Sequence, residues 1–352
     1  MVCVTPSTRD FRDAEMSLPL LALDDLTVSF QTESGRREVL RDIAFEIQPG
    51  EVVGVVGESG SGKSVTALAV MQLLGAQGAC DNGRIWFQGE DLLRYSETEM
   101  RGVRGSRISM IFQEPMTSLN PLFTVGFQVA EVLRTHLGMT AKVARAEVVA
   151  WFDKVGIPNP EARFDEYPNA LSGGMRQRVM IAMAMACRPA LLIADEPTTA
   201  LDVTIQAQIL ALMKDLGREQ GTAIMLITHD MGVIARMADQ VVVMYAGQVA
   251  EVGTLRDVLT DPRHPYSRLL LAAMPTARRK SAHLPVIPGV MPTPGALPGG
   301  CRFHPRCPDA MSICSATPPP LFNPSEGREG RCYLADEEEA AASVPPREAI
   351  AR

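Results

Sequence analysis

Short apolar runs along the chain predict strands, and longer segments with helical spacing lie between them. Residues 39–47 alternate between apolar and polar side chains, which is typical of a half-buried strand, and residues 20–30 are predicted to form a strand before them. The β-branched run 51–56 enters a glycine-rich loop. Further short strands are predicted at 84–88, 107–112, 191–194, 223–227 and 240–244.

Helices are predicted between these strands. A mixed apolar and charged pattern predicts helices across 124–165, which we interpret as part of a helical subdomain at about 95–172. The other predicted helices lie at 65–74, 175–187, 203–219 and 231–238. Alternation of strands and helices predicts an α/β fold whose mostly parallel sheet is covered by helices, preceded by an N-terminal antiparallel part.

The composition changes towards the C-terminus. Eleven of the 26 prolines lie between Pro285 and Pro324, so this segment is not expected to form a long helix or a central strand. It is either an ordered, stapled appendage or a linker. We therefore divide the chain into a flexible leader (1–17), a main domain (18–275), a Pro/Cys-rich domain (276–335) and a disordered tail (336–352).

Charge and hydropathy narrow the function. The net charge of −7 disfavours nucleic acid as a partner. Nowhere does the sequence contain the roughly 18 consecutive apolar residues that span a bilayer, and its first 15 residues lack the apolar centre of a signal peptide. We expect a cytoplasmic protein that reaches membranes only through partners.

A phosphate-binding motif follows the strand at 51–56. Glycines allow the backbone N–H groups to point at phosphates, and the next helix presents its positive N-terminal end to them. The lysine is expected to contact the β- and γ-phosphates of a nucleotide, and the last serine to bind Mg²⁺. The motif consists of Gly57, Glu58, Ser59, Gly60, Ser61, Gly62, Lys63 and Ser64.

Two carboxylates end the predicted strand at 191–194. Ligands of parallel sheets bind beyond the carboxyl ends of the strands, so Asp195 is expected to face Mg²⁺, directly or through water. Glu196 lies one residue further on, where a general base could activate the attacking water.

A second Gly-rich anion site identifies a family. The run Leu-Ser-Gly-Gly-Met-Arg-Gln-Arg at 171–178 resembles the signature sequence of ABC ATPases, in which this segment of one subunit closes over ATP held by another. The resemblance spans about residues 18–275. It implies that the nucleotide is contacted by the signature residues Ser172, Gly173 and Gly174, by the D-loop residue Asp202 and by Phe30, which would stack on the base. It also implies catalytic roles for Gln113, which would contact Mg²⁺ as well, and for the switch residue His229.

A narrower resemblance concerns one branch of that family. Residues 113–121, 264–270, 297–303 and 306–308 resemble segments of the dipeptide and oligopeptide permease ATPases, and nickel and glutathione importers share them. This implies an importer motor that works with two transmembrane permease subunits, a second related ATPase subunit and, indirectly, an extracytoplasmic solute-binding protein.

Four cysteines lie in the Pro-rich region: Cys301, Cys307, Cys314 and Cys332. Four thiolates could close around one metal centre, although the close Cys pairs usual for structural zinc are missing. The family resemblance implies a [4Fe–4S] cluster. Zinc and free thiols are the alternatives.

Two other functions are less consistent with the sequence. ABC proteins of translation carry two ATPase domains, and those of DNA repair insert a long coiled coil before the signature, whereas residues 64–171 leave room only for a small helical subdomain. An exporter motor is disfavoured by the narrower resemblance.

Overall fold

A computed structural model describes residues 18–113, 118–199, 201–274, 286–325 and 327–335. The predicted leader and tail lie outside the described residues, as do positions 114–117 and 275–285.

Twelve strands are present in this described part of the chain. They are β1 (Leu21–Thr32), β2 (Gly35–Ile47), β3 (Val52–Val56), β4 (Gly78–Phe87), β5 (Glu90–Asp91), β6 (Ile108–Ile111), β7 (Leu191–Asp195), β8 (Ala223–Thr228), β9 (Gln240–Tyr245), β10 (Gln248–Thr254), β11 (Phe322–Ser325) and β12 (Arg328–Gly330).

Helices follow or precede most of these strands. They are α1 (Lys63–Val70), α2 (Glu97–Val103), α3 (Val125–Leu137), α4 (Ala141–Lys154), α5 (Pro160–Phe164), α6 (Gly173–Met185), α7 (Val203–Gln220), α8 (Met231–Met237), α9 (Leu255–Thr260), α10 (Pro265–Ala272) and α11 (Ser312–Ala316), with short 3₁₀ turns at Leu92–Arg94, Pro168–Ala170, His304–Arg306 and Tyr333–Ala335.

The main sheet has the strand order β11-β12-β10-β9-β3-β8-β7-β6. Five neighbouring strands run parallel to one another, in the order β9, β3, β8, β7 and β6. Strand β10 pairs with β9 in the antiparallel direction. The predicted α/β fold with a mostly parallel sheet is therefore confirmed. Strand β10 was not predicted; it follows β9 after a tight turn at Ala246 and Gly247, both of which have a positive φ.

Both faces of the parallel strands are buried. In β3, Val52 and Val56 belong to the core beneath the helices, whereas Val53 and Val55 belong to the core beneath the second sheet. Alternate residues of β7, β8 and β9 divide between the two cores in the same way. This two-sided burial explains why these strands read as continuous apolar runs.

The second sheet is antiparallel, with the order β2-β1-β4-β5. A hairpin joins β1 to β2 through the pair Thr32 and Gly35. Strand β4 begins at Gly78, earlier than the predicted 84. Its first six residues were missed because none of them is buried and they carry no apolar alternation.

The helical segment forms its own packed unit. Helices α3 and α4 are capped by Thr124 and Thr140, the residues just before them, whose hydroxyls accept the backbone N–H of Phe127 and Val143. Trp151 and Phe152 of α4 are buried in the core that continues beneath the main sheet. The subdomain is thus joined to the sheet by apolar packing.

The C-terminal region is ordered where it is described. Strand β12 pairs with β10 through Glu251 and Gly330, so the region extends the edge of the main sheet. Of the two alternatives left open by the prolines, the ordered appendage fits residues 286–325 and 327–335. No helix in the described ranges is long and apolar enough to cross a membrane.

We predict that Phe152→Ala lowers the free energy of unfolding by about 3–5 kcal/mol, because it opens a cavity at a fully buried position. Urea unfolding followed by circular dichroism measures the change. Val143→Ala on the same helix is the control, since Val143 is 53% exposed. Equal losses in the two variants would contradict the described packing of α4.

Candidate functional site

The phosphate-binding motif forms a tight loop between β3 and α1. A side chain at Gly57 would bring a Cβ within 2.2 Å of the Met244 carbonyl oxygen, and the residue has a positive φ of 155°. Only glycine allows the loop to approach β9 so closely. Gly62 then precedes α1 with a φ of 106°.

Lys63 is the first residue of α1, and its side chain turns back into the loop. Its Nζ donates to the carbonyl oxygens of Gly57 (2.8 Å) and Glu58 (3.0 Å) and to Ser61 Oγ (3.4 Å). Burial lowers the pKa of Lys63, and the negative charges of Glu196, Asp195 and Glu58 oppose this effect. The ammonium group is therefore held inside the loop by carbonyl oxygens and nearby carboxylates.

Asp195 ends β7 and is 5% exposed. Burial raises the pKa of its carboxyl group, although a hydrogen bond from Ser64 and the charge of Lys63 act in the opposite direction. Its Oδ1 has no hydrogen-bond partner within the described part of the chain. A buried carboxylate oxygen without a donor, next to a serine hydroxyl, suits a divalent cation with oxygen ligands.

Glu196 follows directly, in a left-handed conformation with φ of 46°. Its Oε2 accepts Gln113 Nε2 at 3.1 Å and Thr199 Oγ1 at 3.0 Å, and its Oε1 lies 3.0 Å from His229 Nδ1. Burial alone raises the pKa of Glu196, but the hydrogen bonds from His229 and Thr199 and the charges of His229 and Lys63 lower it overall. The side chain is thus ionised and oriented by three neighbours, as a general base requires.

The structure brings Lys63, Ser64, Asp195, Glu196, Gln113 and His229 together at the carboxyl ends of the parallel strands. Thr199 was missed, because a threonine after two carboxylates has no distinctive sequence pattern. Glu58, Ser59 and Gly60 lie in the partly exposed rim of the loop.

The signature residues have different neighbours. Ser172 Oγ caps α6 by accepting the backbone N–H of Met175 at 3.3 Å, and Asp202 caps α7 by accepting that of Ile205 at 2.9 Å. A Cβ added at Gly173 would lie 3.7 Å from Leu201, and one added at Gly174 would lie 3.1 Å from Ile205, so this side of both glycines faces the start of α7. Ser172 and Asp202 are both exposed, so they are available to a second molecule.

Phe30 is half-buried near the end of β1, opposite Gly78 of β4. A Cβ at Gly78 would lie 2.9 Å from the edge of its ring, so the ring packs directly on the glycine. One part of the ring contributes to the core beneath the second sheet and the rest is accessible.

The four C-terminal cysteines are neighbours. Burial raises the pKa of Cys307 to about 11 and that of Cys332 to about 12, and in both cases the other thiols add to the increase. The backbone N–H of Cys301 donates to the carbonyl oxygen of Cys314 at 2.7 Å. The donor set suits a metal, but no group of three or more His, Cys, Asp or Glu side chains stands in an arrangement that could hold one in the parts of the chain that the structure describes.

This combination of a glycine-rich phosphate loop, a strand-terminal pair of carboxylates and a histidine defines a nucleotide-binding domain of the P-loop class. Sequence profiles agree with that class. The family described as "ABC transporter" matches residues 40–199, and the family described as "Oligopeptide/dipeptide transporter, C-terminal region" matches residues 250–314.

Individual relatives are similar over most of the chain. The dipeptide transport ATP-binding protein DppD of Escherichia coli (strain K12) is 48% identical over 90% of this chain and 97% of its own length. The oligopeptide transport ATP-binding protein OppD of Salmonella typhimurium is 51% identical over 91% of this chain and 95% of its own.

Solved structures agree. The dimeric ATP-binding cassette MJ0796 in a post-hydrolysis state bound to ADP and Pi has a TM-score of 0.61 and 27% sequence identity, covering 67% of this chain and 99% of that one. The chain belongs to the ATP-binding proteins of the ABC transporter family, in the branch that contains DppD and OppD. It is therefore an ABC ATPase.

We predict that Glu196→Gln lowers ATP hydrolysis by at least about 100-fold, because an amide cannot accept the proton of the attacking water. Binding of ATP should persist, since the phosphate loop is untouched. Steady-state hydrolysis and binding of a fluorescent ATP analogue measure the two effects. Glu219→Gln, which changes an exposed carboxylate paired with Lys154, is the control. Hydrolysis by Glu196→Gln at the wild-type rate would remove Glu196 from the catalytic role.

Proposed function

We propose that this chain hydrolyses ATP to power the import of dipeptides, oligopeptides or related small solutes across the cytoplasmic membrane. The observation that carries the proposal is the convergence of Gln113, Thr199 and His229 on Glu196, beside the buried Lys63 and Asp195. Peptide transport as the purpose of that site is supported by the 48–51% identity to DppD and OppD.

In the proposed reaction, the loop N–H groups and Lys63 bind the β- and γ-phosphates, and Glu196 accepts a proton from the attacking water. His229 and Thr199 hold the Glu196 carboxylate in place through their hydrogen bonds. The Ser64 hydroxyl, the free Asp195 oxygen and the Gln113 amide oxygen would hold Mg²⁺, which neutralises phosphate charge when bound.

The complete site needs a second ATPase subunit. Ser172 is exposed and caps its own helix, and Gly173 and Gly174 beside it are only half-buried, so this N-terminal end of α6 is accessible to a nucleotide on another subunit. We propose a heterodimer with a related ATPase, with Asp202 at the dimer interface and Phe30 stacking on the adenine. Closure of this dimer around ATP would drive alternating access in the membrane subunits.

The partners in the membrane are proposed to be two permease subunits that bind beside the helical subdomain. Phe123 and Phe127 stack with ring centroids 5.1 Å apart and are 46% and 39% exposed, next to Leu122, which is 78% exposed. Adjacent exposed apolar side chains of this size favour a protein partner. The chain would thus lie at the cytoplasmic face of the membrane, and an extracytoplasmic solute-binding protein would select the cargo.

The C-terminal cysteines are proposed to bind a [4Fe–4S] cluster with a structural or sensing role, and zinc is the alternative. Support comes from the four-thiol donor set and from the neighbouring thiols that help to raise the pKa values of Cys307 and Cys332. We also propose the division into a main domain (18–275) and a C-terminal domain (276–335), since the four clustered cysteines and the proline-rich stretch from Pro285 to Pro324 all lie in the second.

For transport, we expect cells that carry this chain and its partner ATPase as their only peptide-import ATPases to take up a labelled tripeptide, and Glu196→Gln to abolish that uptake by stopping hydrolysis. Uptake of Ni²⁺ and of glutathione is measured in parallel. Glu219→Gln serves again as the matched control. Normal tripeptide uptake by Glu196→Gln cells, or loss of only Ni²⁺ or glutathione uptake, would contradict peptide import.

For the cysteines, anaerobically purified protein is expected to contain about four iron and four sulfide ions per chain, because each thiolate would ligate one iron. Metal and sulfide analysis and the visible absorption spectrum measure this. The change Cys307→Ser should remove most of the metal, whereas Cys80→Ser, at a half-buried thiol of β4, should not. Stoichiometric zinc without sulfide would establish the alternative centre, and absence of both metals would refute a metal role.

A further inference from the structure

The C-terminal region contacts the phosphate loop directly. Arg306 donates from Nη1 to Glu58 Oε2 at 2.9 Å and from Nη2 to Glu58 Oε1 at 3.1 Å, so both nitrogens of the fork are paired with one carboxylate. The Arg306 side chain is 7% exposed and that of Glu58 is 26% exposed. Such a two-point contact specifies both distance and orientation.

Arg306 is itself held in place. Its Nε donates to the carbonyl oxygen of Pro288 at 2.7 Å, and its Nη1 also lies 3.3 Å from the hydroxyl oxygen of Tyr245. Every donor nitrogen of the guanidinium group thus has a partner, so the group has little freedom to follow a mobile carboxylate. It acts as a fixed support for Glu58.

Glu58 connects this support to the nucleotide site. Its backbone N–H donates to the hydroxyl oxygen of the fully buried Tyr266 at 2.8 Å, and its carbonyl oxygen accepts Lys63 Nζ at 3.0 Å. Glu58 therefore contacts α10 through its amide, the C-terminal region through its carboxylate and the phosphate-binding lysine through its carbonyl oxygen. A shift of Glu58 would therefore move its carbonyl oxygen, which accepts a hydrogen bond from Lys63 Nζ.

A second contact supports the other end of the loop. Arg302 Nη1 donates to the carbonyl oxygen of Ala246 at 2.5 Å, and the next residue, Gly247, donates its backbone N–H to the carbonyl oxygen of Ser61 at 2.8 Å. Arg302 also pairs with Glu38 at 2.6 Å. The two arginines thus support the loop at Glu58 and at Ser61.

Aromatic packing fixes the base of this support. The rings of Tyr245, Tyr266 and Phe303 contact one another with centroids 4.8–5.4 Å apart. His264 packs against Phe303 at 5.7 Å, and burial lowers its pKa to about 3. A buried, neutral and closely packed cluster is rigid enough to transmit the position of the C-terminal segment to the loop.

We propose that Arg306 is a positioning residue for ATP binding: through Glu58 it holds the phosphate loop and Lys63 in the conformation that accepts the β- and γ-phosphates. The C-terminal region is then a component of the nucleotide site and not only an extension of the sheet. The inference rests on the ABC ATPase activity and is independent of the cargo and of any metal at the cysteines.

The test is a double-mutant cycle in the full-length chain. Arg306→Gln and Glu58→Gln should each weaken binding of a fluorescent ATP analogue by about fivefold to tenfold, because each removes one partner of a charge-assisted pair. The double variant should bind no more weakly than the single variants, since both changes break the same contact. In hydrolysis, KM for ATP should rise while kcat changes by less than about twofold, because Glu196 and its partners are untouched.

Two further variants separate positioning from folding. Arg306→Lys retains the charge without the two-point fork, so its affinity should lie between those of the wild type and Arg306→Gln. Arg268→Gln removes the exposed pair that joins α10 to Asp309 of the same region, at 2.9 Å, and should leave Kd and KM unchanged. Thermal unfolding of all variants measures stability alongside binding.

A fall in Tm without a change in Kd would overturn the proposal, as would effects of Arg306→Gln and Glu58→Gln that multiply in the double variant. If Arg306→Gln does not fold, Glu58→Gln decides the question alone. It removes the same pair from the loop side, and wild-type affinity in that variant would also refute the proposal.

Discussion

The backbone of the phosphate loop lies almost against the end of the neighbouring strand β9, and the site is arranged around that close contact. At Gly57 the distance to the Met244 carbonyl leaves no space for a side chain. The β9–β10 turn then hydrogen-bonds the loop through Gly247 and Ser61. Because β9 and β3 are adjacent parallel strands, the sheet itself determines where these backbones meet.

The same sheet explains how residues distant in sequence form one site. Strands β3, β7 and β8 all end at the same edge, so Lys63, Asp195 and His229 meet there although they come from separate strand–helix units. The hydrophobic residues that alternate between the two cores set the register of these strands, and a slip by one residue would reverse every face. The packing of the core therefore also determines the geometry of the site.

Sequence patterns predicted the parallel sheet, the helical subdomain, the phosphate loop and the two carboxylates, because buried strands and the phosphate loop depend on local residue types. Gln113 and His229 were identified only through the resemblance to the ABC ATPases. The patterns did not predict β10 or the contact of β12 with it, since short edge strands carry a weak pattern and pairing partners far apart in sequence leave no periodicity. Thr199, Tyr266 and Arg306 were missed for a related reason. Their roles arise from tertiary contacts with Glu196 and Glu58 that no local spacing encodes.

Arg302 and Arg306 connect the Pro-rich region to the phosphate loop. Arg302 and Arg306 both lie between Cys301 and Cys307, in a segment that contains a single 3₁₀ turn at His304–Arg306. A bond or contact that holds Cys301 and Cys307 in place therefore also restricts the backbone of Arg302 and Arg306, whose side chains support the phosphate loop. Proline stiffening and aromatic packing already reduce the freedom of this segment, so its contacts with Glu58 and Ala246 cost little additional ordering entropy. A region too poor in apolar residues to contribute a large core can in this way act on the nucleotide site through a few well-placed polar contacts.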